Sequence, residues 1–129
     1  MSNVLPALAL AFAAFLIGMQ VLVRLRARAQ RGKPVPALPG DLGEQVRRLP
    51  RSLLYFFSPS CGACRTITPR VRALREGNKA VFLVDGSADL DVARALGVMS
   101  TPSIVEIEGG RIAGFHLGGM PAEVAARFA

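Results

Sequence analysis

The feature that most constrains this chain is a pair of cysteines lodged between a strand and a helix. Cys61-Gly62-Ala63-Cys64 holds the only two cysteines among the 129 residues. An unbroken apolar run, Leu53-Leu54-Tyr55-Phe56-Phe57, precedes it, and Ser58-Pro59-Ser60 breaks that run. The run reads as a strand, and the residues from Cys61 to about Glu76 read as a helix. Two thiols three positions apart at a helix start can bond to each other. They can also exchange with a disulfide in another molecule. A loop closed over two intervening residues would restrain the unfolded chain very little, so the pair is a poor structural staple. Two cysteines are also too few for the disulfide framework of a small secreted domain.

Periodicity and breakers predict the remaining elements. Asp41 to Arg48 reads as a short helix with Asp41 as its N-cap and Leu42, Val46 and Leu49 on one side. Ala80 to Val84 is a second continuous apolar strand, as expected for a strand covered on both faces. Ser87 or Asp89 can cap a helix that runs to Leu96 and stops at Gly97. Ser103 to Glu108 alternates, with Val105 and Ile107 on one face and Glu106 and Glu108 on the other. Gly109-Gly110 turns the chain into a return strand from Arg111 to His116. Pro121 opens a final helix ending at Phe128. Pro69 should kink the helix that follows the cysteines. The order α-β-α-β-α-β-β-α implies an α/β fold, a mixed sheet with helices on both faces.

Ahead of this domain lies Val4 to Val23, twenty residues without a charge. A helix of that length spans about 30 Å, the thickness of a bilayer's hydrocarbon core. No basic residue precedes it, and Arg24-Leu25-Arg26-Ala27-Arg28 makes a poor cleavage site. It therefore reads as a retained transmembrane anchor rather than a signal peptide. The net charge of +7 is concentrated just beyond. Arg24, Arg26, Arg28, Arg31 and Lys33 supply five positive charges, whereas the chain from Pro34 onward holds 11 basic and 9 acidic residues. This is a juxtamembrane cluster suited to anionic lipid headgroups, not a nucleic-acid footprint. The positive-inside rule predicts a cytoplasmic domain, with the periplasm as the alternative. Arg31 to Gly40 carries three prolines and two glycines and reads as an extended linker. The expected organisation is an anchor over 1–23, a basic, Pro-rich linker over 24–40 and a folded domain over 41–129.

The exposed amides and dipole at a helix N-terminus favour negative charge. Cys61 should therefore ionise more readily than a free cysteine and act as the attacking thiolate. Cys64, one turn further and deeper, should resolve the mixed disulfide. Gly62 and Ala63 are small enough for a partner chain to approach. His116 is the only histidine, placed on the last strand between Phe115 and Leu117. Structural zinc takes about four ligands, and one distant histidine with two cysteines falls short, so no metal and no other cofactor is expected. Only a dimer pooling both cysteine pairs would supply four thiolates, and a monomer is expected. Asp85, Asp89 and Asp91 read as loop and cap residues. Gly118-Gly119 reads as a turn beside the site.

Cys61-Gly62-Ala63-Cys64-Arg65-Thr66-Ile67-Thr68-Pro69 resembles the active-site helix of the thioredoxin family, including the proline five residues after the second cysteine. Leu96-Gly97-Val98-Met99-Ser100-Thr101-Pro102-Ser103-Ile104 resembles the family's segment around its cis-proline, and Gly109-Gly110 matches its last hairpin turn. The resemblance covers about Asp41 to Phe128. It implies a thioredoxin-like sheet lacking the family's first strand, and disulfide exchange with protein clients. It also implies a cis Thr101-Pro102 bond across from the cysteines, where a client segment pairs as an added strand. Two positions depart from the family pattern. Ser60 stands where an aromatic residue is usual, and Tyr55 where a buried carboxylate often helps to deprotonate the resolving thiol. These departures argue against rapid general reductase activity. Ser58-Pro59-Ser60-Cys61 is similar to membrane-anchored members that mature particular proteins, as in methylamine-dehydrogenase assembly or cytochrome c biogenesis. The sequence thus predicts a membrane-anchored thiol-disulfide oxidoreductase. The rival reading is a non-catalytic assembly factor that holds a client or delivers a metal.

Overall fold

The strand ahead of the cysteines becomes an interior strand of the sheet. In a computed structural model describing residues 2–129, β1 (Arg51–Phe57) pairs in parallel with β2 (Val81–Asp85) and antiparallel with β3 (Ser103–Glu108). β4 (Arg111–Leu117) pairs antiparallel with β3, giving the order β2-β1-β3-β4. Neighbours on both edges and helices on both faces bury Leu53, Leu54, Tyr55 and Phe56 completely, so β1 shows no polar alternation.

Two cores flank the sheet. Leu54, Phe56, Val105 and Phe115 meet α2 (Gly40–Arg48) through Val46, and α4 (Leu90–Ala95) through Val92 and Ala93. Leu53, Tyr55, Val81 and Ile104 point the other way. They meet α3 (Cys64–Gly77) through Val71 and α5 (Ala122–Phe128) through Val124 and Phe128. Each large apolar side chain buried this way stabilises the fold by about 1.5–3 kcal/mol. Parallel strands need a crossover, and α3 supplies the one between β1 and β2. The α3 start is thus held at the C-terminal end of β1 by packing on both its neighbours.

The apolar stretch forms the first part of α1 (Val4–Gln30), a helix long and apolar enough to cross a membrane. Its side chains are exposed from Val4 to Arg26, and Ala27 is the first to be buried. The helix continues through the basic cluster rather than ending at Val23. The segment after it becomes an edge partner of β4. Gly32 N–H donates to Ile112 C=O at 2.7 Å, Ile112 N–H to Lys33 C=O at 2.9 Å, and Val35 N–H to Gly110 C=O at 2.8 Å. Leu38 then buries itself beside α2. A Cβ on Gly43 would overlap the Leu38 carbonyl, so this approach requires glycine.

The order of elements matches the sequence reading, while several boundaries move. α2 starts at Gly40 with Pro39 as N-cap, so Asp41 lies within the first turn instead of capping it. Asp89 occupies the N-cap of α4 without a side-chain cap bond. The nearby capping is done by Asp85, whose carboxylate accepts from the Ser87 N–H at 2.9 Å and the Ser87 hydroxyl at 2.6 Å. Those bonds hold its pKa below the ordinary 3.8. Pro121 is the N-cap of α5, not its first helical residue. The helix expected from Cys61 begins at Cys64, because Ser58 to Ala63 form two tight turns: Cys61 N–H donates to Ser58 C=O at 3.1 Å and Arg65 N–H to Gly62 C=O at 3.3 Å.

Candidate functional site

The cysteines sit where β1 hands over to α3. Cys61 is partly exposed and precedes the helix, whereas Cys64 is its first residue and only 3% exposed. They are joined by a disulfide with Cα atoms 5.4 Å apart. The Cys64 N–H donates to Cys61 Sγ at 3.2 Å. This amide belongs to the first helical turn, where N–H groups lack intrahelical acceptors. It would stabilise negative charge on Cys61 when the bond is reduced. Gly62 and Ala63 are exposed, and so is Arg65.

Thr101-Pro102 lies beside this turn, and its peptide bond is cis, as the resemblance implies. Thr101 Oγ1 stands 3.4 Å from Ser58 Oγ, and Gly118 N–H donates to Pro102 C=O at 3.1 Å. The site therefore combines three chain segments: residues 58–64, the 100–102 loop and the Gly118-Gly119 turn. Pro102 is buried and Thr101 half-buried.

Under the helix lies Tyr55, the residue that the resemblance sets at the family's carboxylate position. Its hydroxyl is 2.9 Å from Thr68 Oγ1, which anchors α3 to β1 one residue before Pro69. Burial raises the phenol above its ordinary pKa of 10.0, against a smaller lowering by the Thr68 bond. Tyr55 is thus neutral at physiological pH and supplies no negative charge on this strand.

A sequence model of thioredoxin matches residues 41–128. The chain belongs to the thioredoxin family. Solved thioredoxins share its fold. Thioredoxin pre-protein from Schistosoma mansoni is 27% identical, with a TM-score of 0.60, covering 72% of this chain and 91% of its own. Fasciola hepatica thioredoxin is 25% identical, with a TM-score of 0.60, covering 74% and 96%. Mitochondrial thioredoxin 3 from Saccharomyces cerevisiae, in its oxidised form, is 21% identical, with a TM-score of 0.55, covering 66% and 82%. Thioredoxin fold and CxxC disulfide together support thiol-disulfide oxidoreductase chemistry in general.

One thioredoxin-domain feature escaped the sequence reading. Glu106 lies on the face opposite Val105, as expected, yet α5 covers that face and leaves Glu106 only 6% exposed. Arg127 donates to Glu106 Oε1 through Nε at 3.0 Å and Nη2 at 2.8 Å, and His116 Nε2 sits 3.0 Å from Oε2. Gly114, opposite Glu106 across β3 and β4, leaves the space this carboxylate fills. The local signal was an acidic side chain, Glu106, set between Val105 and Ile107. The register itself, shifted by a bulge at Glu106/Ile107, was not readable.

Proposed function

We propose that this protein is a membrane-anchored thiol-disulfide oxidoreductase acting on protein clients. The observation that carries the reading is the Cys64 amide aimed at the Cys61 sulfur, with Cys64 buried behind it. In the reducing direction both cysteines start as thiols. Cys61, having lost its proton, attacks one sulfur of a client disulfide; a mixed disulfide forms and a client thiolate leaves. Cys64 then loses its proton and attacks the Cys61 sulfur. The Cys61–Cys64 bond closes, the second client thiolate departs, and the two released protons end on the client sulfurs. Two electrons pass to the client, and a dithiol donor must restore the pair. The reverse sequence oxidises a client.

Gly62 and Ala63 leave room for the client, and Thr101 with Pro102 would shape the groove that holds its extended segment. The protein acts as a monomer, anchored through α1 with its basic cluster against anionic headgroups. The charge asymmetry favours a cytoplasmic domain. A C-terminal reporter active only outside the cytoplasm would reverse that orientation.

The decisive experiment is Cys64→Ser in the full-length protein in membranes. A catalyst should accumulate client adducts through Cys61. A non-catalytic assembly factor that holds a client or delivers a metal would accumulate none.

A further inference from the structure

α1 lies across from the Thr101-Pro102 loop, although neither cysteine lines the space between them. An open cavity of about 510 Å³ separates the two, with Met19, Gln20 and Val23 on one wall and Ser100, Thr101 and Pro102 on the other. Leu16 extends the helical wall, and together with Met19, Gln20 and Val23 it follows the spacing of a single helix face. A second, mostly apolar hollow of about 270 Å³ adjoins it, where Leu22 faces Met99 and Phe115. Met99 is 76% exposed, and Arg26 Nη1 lies 3.9 Å from its sulfur.

The position of this wall along the anchor sets its depth. Met19 lies about 6 Å along the helix axis from Val23, the last apolar residue before Arg24. The wall from Leu16 to Val23 therefore occupies about the last 10 Å of the apolar stretch, on the hydrocarbon side of the headgroup boundary. Gln20 is the only residue with a polar side chain between Val4 and Val23, and it is on the face that looks into the cavity. Across from it, neither the N–H nor the C=O of Thr101 is engaged in a hydrogen bond among the described residues.

We propose that the redox site faces the membrane boundary. Its clients are membrane-anchored proteins that present a cysteine on an extended segment just outside their own span. That segment would run between α1 and the Thr101-Pro102 loop, pairing with the Thr101 backbone on one side. On the other it would meet the Gln20 amide and the apolar wall. A lipid tail could fill the apolar hollow but has no use for the open backbone groups or the amide. The inference rests on the oxidoreductase reading and narrows its client class.

Two measurements on the full chain in phospholipid vesicles test it. The chain has no tryptophan, so Met99→Trp introduces a single fluorophore. Its emission should be blue-shifted and quenched by brominated lipid; a water-like, unquenched signal would overturn the membrane-facing geometry. The Cys64→Ser protein is then offered two single-span peptides, each carrying an activated mixed disulfide. One bears it two residues outside the span, and the other beyond a 15-residue polyproline spacer, about 45 Å away. The near probe should form its Cys61 adduct about tenfold faster. Gln20→Leu should reduce that preference. Equal rates, or faster capture of the far probe, would overturn the inference while keeping the oxidoreductase reading. Quenching at position 99 with equal rates would assign the groove to lipid instead. Failure of both probes to form an adduct would overturn the oxidoreductase reading itself.

Discussion

The backbone amide of Cys64 donates to the sulfur of Cys61 across 3.2 Å, so the start of α3 is aimed at the outer cysteine. That relationship makes the two sulfurs inequivalent in charge stabilisation as well as in exposure. In reduced Cys64→Ser protein, alkylation of Cys61 at pH 7 should run about tenfold faster than in the unfolded chain, because more of the sulfur is thiolate. The rate should rise with pH and level off earlier than for a free cysteine. Iodoacetamide kinetics across pH 5–9 read this directly, and an unactivated profile would remove the basis for attack by Cys61.

Tyr55 and Thr68 tie the active helix to the central strand. Tyr55→Phe deletes that bond and should cost about 1 kcal/mol in denaturant unfolding. The sign of its pH dependence follows from burial. The folded state keeps the phenol protonated above its ordinary 10.0, so its contribution is intact below that pH. Above it the unfolded chain binds fewer protons, and stability falls as pH rises toward the folded value. Tyr55→Phe should lack this alkaline loss, as unfolding midpoints between pH 8 and 11 would reveal.

Arg127→Ala should destabilise the domain by about 1–3 kcal/mol, because the buried Glu106 carboxylate loses two hydrogen bonds and keeps only His116. The half-exposed Arg127 side chain holds this below the penalty for a fully buried pair. Gly114→Ala should cost a similar amount, since its Cβ would displace the same carboxylate. Thermal unfolding of both variants, with Glu106→Gln as the milder control, measures the cluster.

A fragment beginning at Asp41 matches the thioredoxin model but uncovers the β4 edge. Compared with a fragment beginning at Gly32, it loses three backbone hydrogen bonds and the burial of Leu38. It should be less stable by roughly 3 kcal/mol. It should also self-associate through the open edge. Denaturant midpoints and sedimentation of the two fragments compare them, and equal behaviour would show that 32–38 contributes nothing.

Much of this was legible in the residues. β1 and β2 were readable because strands covered on both faces are apolar throughout. The cysteine pair and the Thr101-Pro102 segment were readable because each belongs to a short run of local sequence. The start of α3 was misplaced because Ser58 and Gly62 form turns through backbone bonds that side-chain identity does not report. Asp41 and Asp89 resemble N-caps, yet both miss the capping bond, which depends on the backbone angle at one residue.

Local pattern alone determined an apolar helix long enough to cross a membrane, the order of strands and helices, and a dithiol at a strand-to-helix junction. Each is set by neighbours within a few positions, through periodicity, turn chemistry or spacing. Tertiary structure decided that 32–35 closes the β4 edge, that Glu106 is buried among His116 and Arg127, and that Gln20 looks across a groove at Thr101. Those three join residues far apart in the chain, and pairing register and helix docking bring them together only when the whole sheet has formed.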